Sequence, residues 1–103
     1  MNIQQMVKQA QALQMKMSKV QEELKTREET GSSGGGKVKI TMNGAQEVTA
    51  VAIDSAVVNP DEADLLEDLV LTAFKDARTK VTKLIEEEMG KVTGGAGLPP
   101  GLF

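Results

Sequence analysis

The chain has 103 residues, 40% hydrophobic and 26% charged, with a formal net charge of −3, which suits one soluble domain with one modest core. It holds no cysteine and no histidine, so disulfides, thiolate catalysis, cysteine-ligated zinc and the commonest general base are excluded. No apolar run reaches the ~18 residues that span a bilayer, and the opening MNIQQMVKQAQ has no signal-peptide core, so the expectation is a cytoplasmic protein with no membrane partner.

The first 25 residues read as one helix. Ile3, Met6, Ala10, Leu13, Met17, Val20 and Leu24 recur at alternating intervals of three and four, a heptad seam held for about three heptads. At 1.5 Å per residue the helix is roughly 35 Å long. Outside the narrow seam it is mostly Gln, Lys, Glu and Ser. A narrow seam on a long helix calls for a partner helix, either the chain's own C-terminal helix or the first helix of another copy.

The polar TREETGSS that follows fits either an edge strand or a loop. GSSGGGK, from Gly31 to Lys37, matches most of G-x-x-x-x-G-K-[ST], the loop that wraps nucleotide phosphates. That loop works when a strand feeds a turn that opens a helix. Here it precedes a strand, and Val38 replaces the hydroxyl residue that would hold magnesium. The glycines are expected to relax a bend or to let a backbone pass close to another strand. In KVKITM, Val38, Ile40 and Met42 face one way and Lys37, Lys39 and Thr41 the other. Asn43-Gly44 is a hairpin signal, because both residues tolerate positive φ. Strand character resumes through Val48, Thr49, Val51 and Ile53.

A second helix is predicted from about Asn59, with Asn59 as cap, Pro60 in the first turn, and Asp61 and Glu62 complementing the dipole. Leu66, Leu69, Val70, Ala73, Ala77, Val81 and Leu84 form its apolar face, widened by Phe74, Ile85 and Met89, and Gly90 is the expected stop. This places one domain over 1–93 and a flexible, Gly/Pro-rich tail over 94–103.

No nucleophile–base–orienter set can be assembled, and the carboxylates fall mostly off the apolar face, so no enzyme, cofactor or metal site is expected. The charge is unevenly placed. Residues 1–39 hold seven Lys/Arg against four Glu, net +3, and residues 40–103 hold five against eleven Asp/Glu, net −6. Such asymmetry hints at an end that faces a polyanion, although two solvated faces look the same. On a helical wheel Lys8, Lys16, Lys19 and Arg27 share one flank of the first helix. Glu23 interrupts that flank, and Lys25 lies elsewhere. A seam beside a basic flank suits a helix that pairs with protein and offers cations to phosphate; a solvated coiled-coil flank gives the same pattern. With Phe74 and Phe103 the only aromatics, there is no platform for stacking bases of single strands.

MVKQAQALQMKMSKVQEEL, TGSSGGGKVKITMNGAQEVTAVAID, LLEDLVLTAFKDARTKV and EEEMGKVTGGAGLPPGLF, taken together and in this order, resemble the YbaB/EbfC family of bacterial nucleoid-associated proteins over essentially the full length. The resemblance implies an α+β fold: a long N-terminal helix, a three-stranded antiparallel β-meander whose first strand is REETGSS, and a long C-terminal helix. It implies a tweezer-like homodimer that binds double-stranded DNA in the nucleoid with little sequence specificity. Chromosome organisation and effects on gene expression would follow, without enzymatic activity, cofactor or small-molecule substrate. The contacts are assigned by charge rather than by motif, to Lys8, Lys16, Lys19, Lys25 and Arg27, with Lys75, Arg78 and Lys83 on the second helix as a scattered second set. The dimer seam is assigned to Ile3, Met6, Ala10, Leu13, Met17, Val20 and Leu24. The alternative is a non-enzymatic helical dimer that serves as a protein-interaction scaffold, through the seam or the LPPGLF tail.

Overall fold

A 22-residue helix, α1 (Ile3–Leu24), opens the chain. Asn2 caps it, its side chain accepting from the Gln4 amide at 2.9 Å. Three antiparallel strands follow, β1 (Glu28–Ser33), β2 (Val38–Asn43) and β3 (Val48–Ile53), in spatial order β1-β2-β3. A 34-residue helix, α2 (Ala63–Ala96), closes the described chain. The computed structural model describes residues 2–96. The α-β-β-β-α order is the one expected, and the molecule is a rod of 69 × 21 × 16 Å.

The core lies between the sheet and α2. Val38, Ile40 and Met42, the predicted inward set of β2, are 0–3% exposed. They meet Ala73, Ala77 and Val81 of α2, with Leu66, Leu69, Val70, Phe74 and Ile85 packed around them. Each of the larger side chains contributes about 1.5–3 kcal/mol when fully buried, so β2 against α2 is the main hydrophobic contact of the chain.

β1 forms by other means. Its residues, EETGSS, include no large apolar side chain. Two of its outward-facing backbone groups are instead capped by α2: the Ser32 amide donates to Asp76 Oδ2 at 3.0 Å, and Lys80 Nζ donates to the Thr30 carbonyl at 3.0 Å. The Ser33 hydroxyl donates to the Leu69 carbonyl at 2.6 Å. The approach is this close because Gly31 has no side chain. A Cβ there would lie 2.1 Å from the Ala77 nitrogen and 2.4 Å from the Ala73 oxygen.

The glycine run therefore has two uses. Gly31 admits a helix, and Gly34, Gly35 and Gly36, with φ of 58°, 69° and 91°, turn β1 into β2. GSSGGGK is thus a strand–turn–strand segment, and no helix begins after it.

The second hairpin departs from the expected Asn-Gly turn. Its loop runs from 44 to 47, and the residue at positive φ is Gln46, at 64°. Asn43 instead organises the loop from its side chain, Oδ1 accepting from the amides of Ala45 (2.9 Å) and Glu47 (3.0 Å). Gly44 is needed for proximity: its amide donates to the Leu24 carbonyl at 2.9 Å, and a Cβ would fall 2.4 Å from that same oxygen. The hairpin is where the base of α1 docks.

Both expected ends of the second helix move. Asn59 caps a short 3₁₀ turn, Pro60–Glu62, and α2 proper starts at Ala63. Gly90 does not stop it; the helix runs on to Ala96. A glycine inside a helix costs about 1 kcal/mol; the turn after it keeps an apolar contact, Val92 being half-buried. Residues 94–96 of the expected tail are helical, and 97–103 lie outside the described residues.

Gly31→Ala is expected to destabilise the chain by about 1–3 kcal/mol through overpacking. Urea denaturation followed by circular dichroism checks this; an unchanged midpoint would show that the close crossing is not needed.

Candidate nucleic-acid interface

Along α1, residues 3–21 contain three lysines, six glutamines and no Asp or Glu. Lys8, Lys16 and Lys19 are exposed. Helical spacing places them within about 80° of arc and spreads them over about 16 Å of axis. None of the ion pairs among the described residues uses them. They are three solvated cations on one side of a helix, with Glu22 and Glu23 following only after Lys19 at the base of α1, and that arrangement attracts phosphates.

Lys25 and Arg27 are placed differently. α1 ends at Leu24, so the wheel that put Arg27 on the lysine flank does not reach it. Lys25 caps the helix and pairs with Glu22 at 3.3 Å, both exposed. Arg27 sits in the turn into β1, and its Nη1 lies 3.1 Å from Glu88 Oε1. The same oxygen takes Lys91 Nζ at 3.1 Å. The hydrogen bond from Lys91, aided by Arg27, holds the Glu88 carboxyl below the ordinary carboxylate range. Arg27 thus braces the base of α1 against α2.

The seam divides along its length. Leu24 is buried, and Val20, Met17 and Leu13 are half-buried. Gln21, Leu24, Ile85 and Met89 line a common hollow at the base, so α2 is the partner there. Ala10, Met6 and Ile3 are exposed, Ile3 by 76%. Of the two partners open for this seam, the chain's own C-terminal helix covers the inner part.

Lys75, Arg78 and Lys83 are exposed on α2. Arg78 and Lys83 border a shallow hollow with Thr79, Thr82 and Glu86, whose carboxylate offsets part of their charge.

A surface that the strand pattern did not reveal lies at the other side of the sheet. α2 covers β1 and β2 but not β3. Val48, Val51 and Ile53 pair in register with Met42, Ile40 and Val38, so they point to the core face, yet they are 45%, 54% and 41% exposed. Next to them an apolar groove of about 590 Å³ is lined by Ile40, Ala63, Leu66, Val70, Leu71 and Phe74, with Glu67. The outer edge of β3 has no strand beside it among the described residues. Alternation marked β3 as a strand; only the position of α2 shows that its inner face is bare.

Among the described residues no group of three acidic side chains is placed to hold a metal ion, and no helix is long and apolar enough to cross a membrane.

The sequence pattern of the YbaB/EbfC DNA-binding family matches residues 1–96. A nucleoid-associated protein of Rhodospirillum rubrum is 46% identical over 101 residues, 98% of this chain and 94% of that one. One of Dictyoglomus turgidum is 50% identical over 97 residues, 94% and 93% of the two chains. In fold, the chain is similar to the crystal structure of an uncharacterised protein from Helicobacter pylori, with a TM-score of 0.79 at 21% identity, over 88% of this chain and 96% of that one.

The ties to α2 carry a pH signature. The Ser32 amide, with help from Lys80, also lowers the Asp76 carboxyl. A carboxylate with a lowered folded-state pKa stabilises above its unfolded value, and the gain is lost as pH falls through the folded value. Stability should therefore be level near neutrality and fall between about pH 5 and 3. Asp76→Asn and Glu88→Gln should each flatten that fall, as urea midpoints across the range will report; parallel slopes for variants and parent would contradict it.

Proposed function

Because the chain belongs to the YbaB/EbfC DNA-binding family, we propose that it binds double-stranded DNA as a homodimer, with little sequence preference, through the lysine flank of α1. The acid-free run of α1 carries this reading. Net charge is −3, but the negative charge is concentrated in residues 40–103, away from that run. The acidic body repels a polyanion while the arm attracts it, so contact is confined to the arm.

Duplex rather than single-stranded DNA fits the absence of a stacking platform: Phe74 is half-buried beside the core. Low specificity fits contacts made by lysines and glutamines to phosphates, which position a protein without reading sequence. The homodimer fits the bare half of the sheet. Val48, Val51 and Ile53, with the groove beside them, offer a self-complementary apolar patch of the kind a two-fold axis joins. Two copies joined there carry two lysine-bearing arms, which doubles the phosphates that can be neutralised. The named relatives are nucleoid-associated proteins, and on this reading the chain works in the nucleoid of the cytoplasm, organising the chromosome and affecting gene expression without catalysis.

If a dimer neutralises roughly six phosphates, log K should fall with log salt at a slope of about −5. Lys16→Glu with Lys19→Glu should weaken binding at least ~10-fold at low salt, equally across unrelated duplexes. Fluorescence anisotropy with labelled DNA measures both. Unchanged affinity would remove the arm from the interface and favour the protein-scaffold alternative. Val51→Glu should keep the helical circular dichroism, because Val51 is exposed in the single chain. It should still lose at least ~10-fold in DNA affinity by separating the two arms; a folded variant that binds as tightly as the parent would count against the dimer.

A further inference from the structure

The chain holds three asparagines, Asn2, Asn43 and Asn59, followed by Ile3, Gly44 and Pro60. An asparagine loses its carboxamide when the backbone nitrogen of the next residue attacks its Cγ. Proline has no N–H to give up, isoleucine crowds the attack with a branched side chain, and glycine leaves it open. Asn43 is the asparagine whose neighbour favours the reaction.

The fold opposes it there. Asn43 is 7% exposed. Its Oδ1 accepts from the amides of Ala45 and Glu47, and its Nδ2 donates to Glu47 Oε1 at 3.1 Å. The attacking group is held as well. The Gly44 N–H is shared between the Leu24 carbonyl at 2.9 Å and the Arg27 carbonyl at 3.0 Å. A nitrogen placed between two carbonyl oxygens cannot shed its proton without setting negative charge against both.

The two restraints differ in origin. Those on the carboxamide lie within four residues of the hairpin. Those on the nitrogen come from the last residue of α1 and the turn after it. Leu24 is 3% exposed and packs directly over Gly44.

We propose that Asn43 is a deamidation site gated by the seating of α1. With the base of the helix in place, the nucleophile is locked. When Leu24 lifts away, the Gly44 nitrogen gives its proton to hydroxide and bonds to Asn43 Cγ. The Cγ–Nδ2 bond breaks, and Nδ2 takes a proton from water and leaves as ammonia. The cyclic imide then takes up one water and opens at either carbonyl, to aspartate or isoaspartate. Water is the only co-reactant.

Neither product restores the joint. In aspartate an oxygen replaces the Nδ2 donor, so two carboxylates meet where Asn43 and Glu47 were bonded. In isoaspartate the main chain runs through Cβ, which displaces the Gly44 amide from Leu24. A passing release of the arm root thus becomes a lasting one.

Peptide mass spectrometry after incubation in mildly alkaline buffer reads the conversion of each asparagine. In the folded chain Asn43 should convert at least ~10-fold more slowly than in the same chain unfolded in urea, where Asn2 and Asn59 should lag behind it. Leu24→Val and Leu24→Ala loosen the seat in two steps and should speed conversion in that order, the second at least ~5-fold. Hydrogen exchange at the Ile40 amide, unchanged, shows that the core holds. A parent that converts as fast as the unfolded chain, or folded Leu24 variants that convert at the parent's rate, would overturn the gate. Asn43→Asp carries the charge of one product and should speed exchange at the Gly44 amide at least ~5-fold; equal exchange would overturn the lasting release. None of these readouts involves DNA, so failure here leaves the DNA-binding proposal standing.

Discussion

The close crossing of α2 over β1 at Gly31 sets the position of everything else. With only a hydrogen at that Cα, the Ala73–Ala77 turn lies against the strand, and Asp76 and Lys80 reach the free edge groups of β1. One edge of the sheet is thereby closed. The helix is also drawn to one side, over β1 and β2, and cannot cover β3. The bare face of Val48, Val51 and Ile53 is the geometric counterpart of the closed edge, since one helix cannot cover three strands when it is held over the first two. On the proposed reading a second copy covers that face.

The same helix outlasts the sheet. Its last turns extend past the strands and provide the surface on which α1 is seated by Leu24, the Gly44 amide and the Arg27–Glu88 pair. An exposed ion pair contributes little alone. Here it acts with a buried leucine and a backbone hydrogen bond at one joint, so together they fix where the arm leaves the body. The distribution of charge follows from this geometry. Carboxylates gather on α2, the hairpins and the base of α1, the lysines of α1 stand on its acid-free run from residue 3 to 21, and the acidic total conceals a cationic limb.

Features with a short-range physical cause were legible in the sequence. The seam of α1, the inward set of β2 and the apolar face of α2 follow from periodicity, and the glycine run announced a turn or a close approach to a strand, the neighbour at Gly31 being a helix instead. What was not legible depended on contacts made far along the chain. β1 has no hydrophobic pattern because its ties are backbone groups and hydroxyls meeting α2 some 36 to 50 residues away. Asn43-Gly44 marked the right place for the wrong reason: the pair serves an Asx-type loop and the approach of Leu24. Gly90 was read as a stop because propensity cannot register the packing that carries the helix through it. Arg27 was grouped with the lysines because a wheel assumes a helix that has already ended. The candidate interface was legible as a charge flank, whereas the exposed inner face of β3 was not, because exposure depends on where α2 comes to rest.

The central claim is that a sheet half covered by its own helix is completed by a second copy, so that the lysine arms work in pairs. Molar mass by light scattering during size-exclusion chromatography of the unmodified chain, at micromolar concentration without DNA, tests it most directly. The account predicts twice the 11.0 kDa of one chain. A particle of single-chain mass across that range would contradict it.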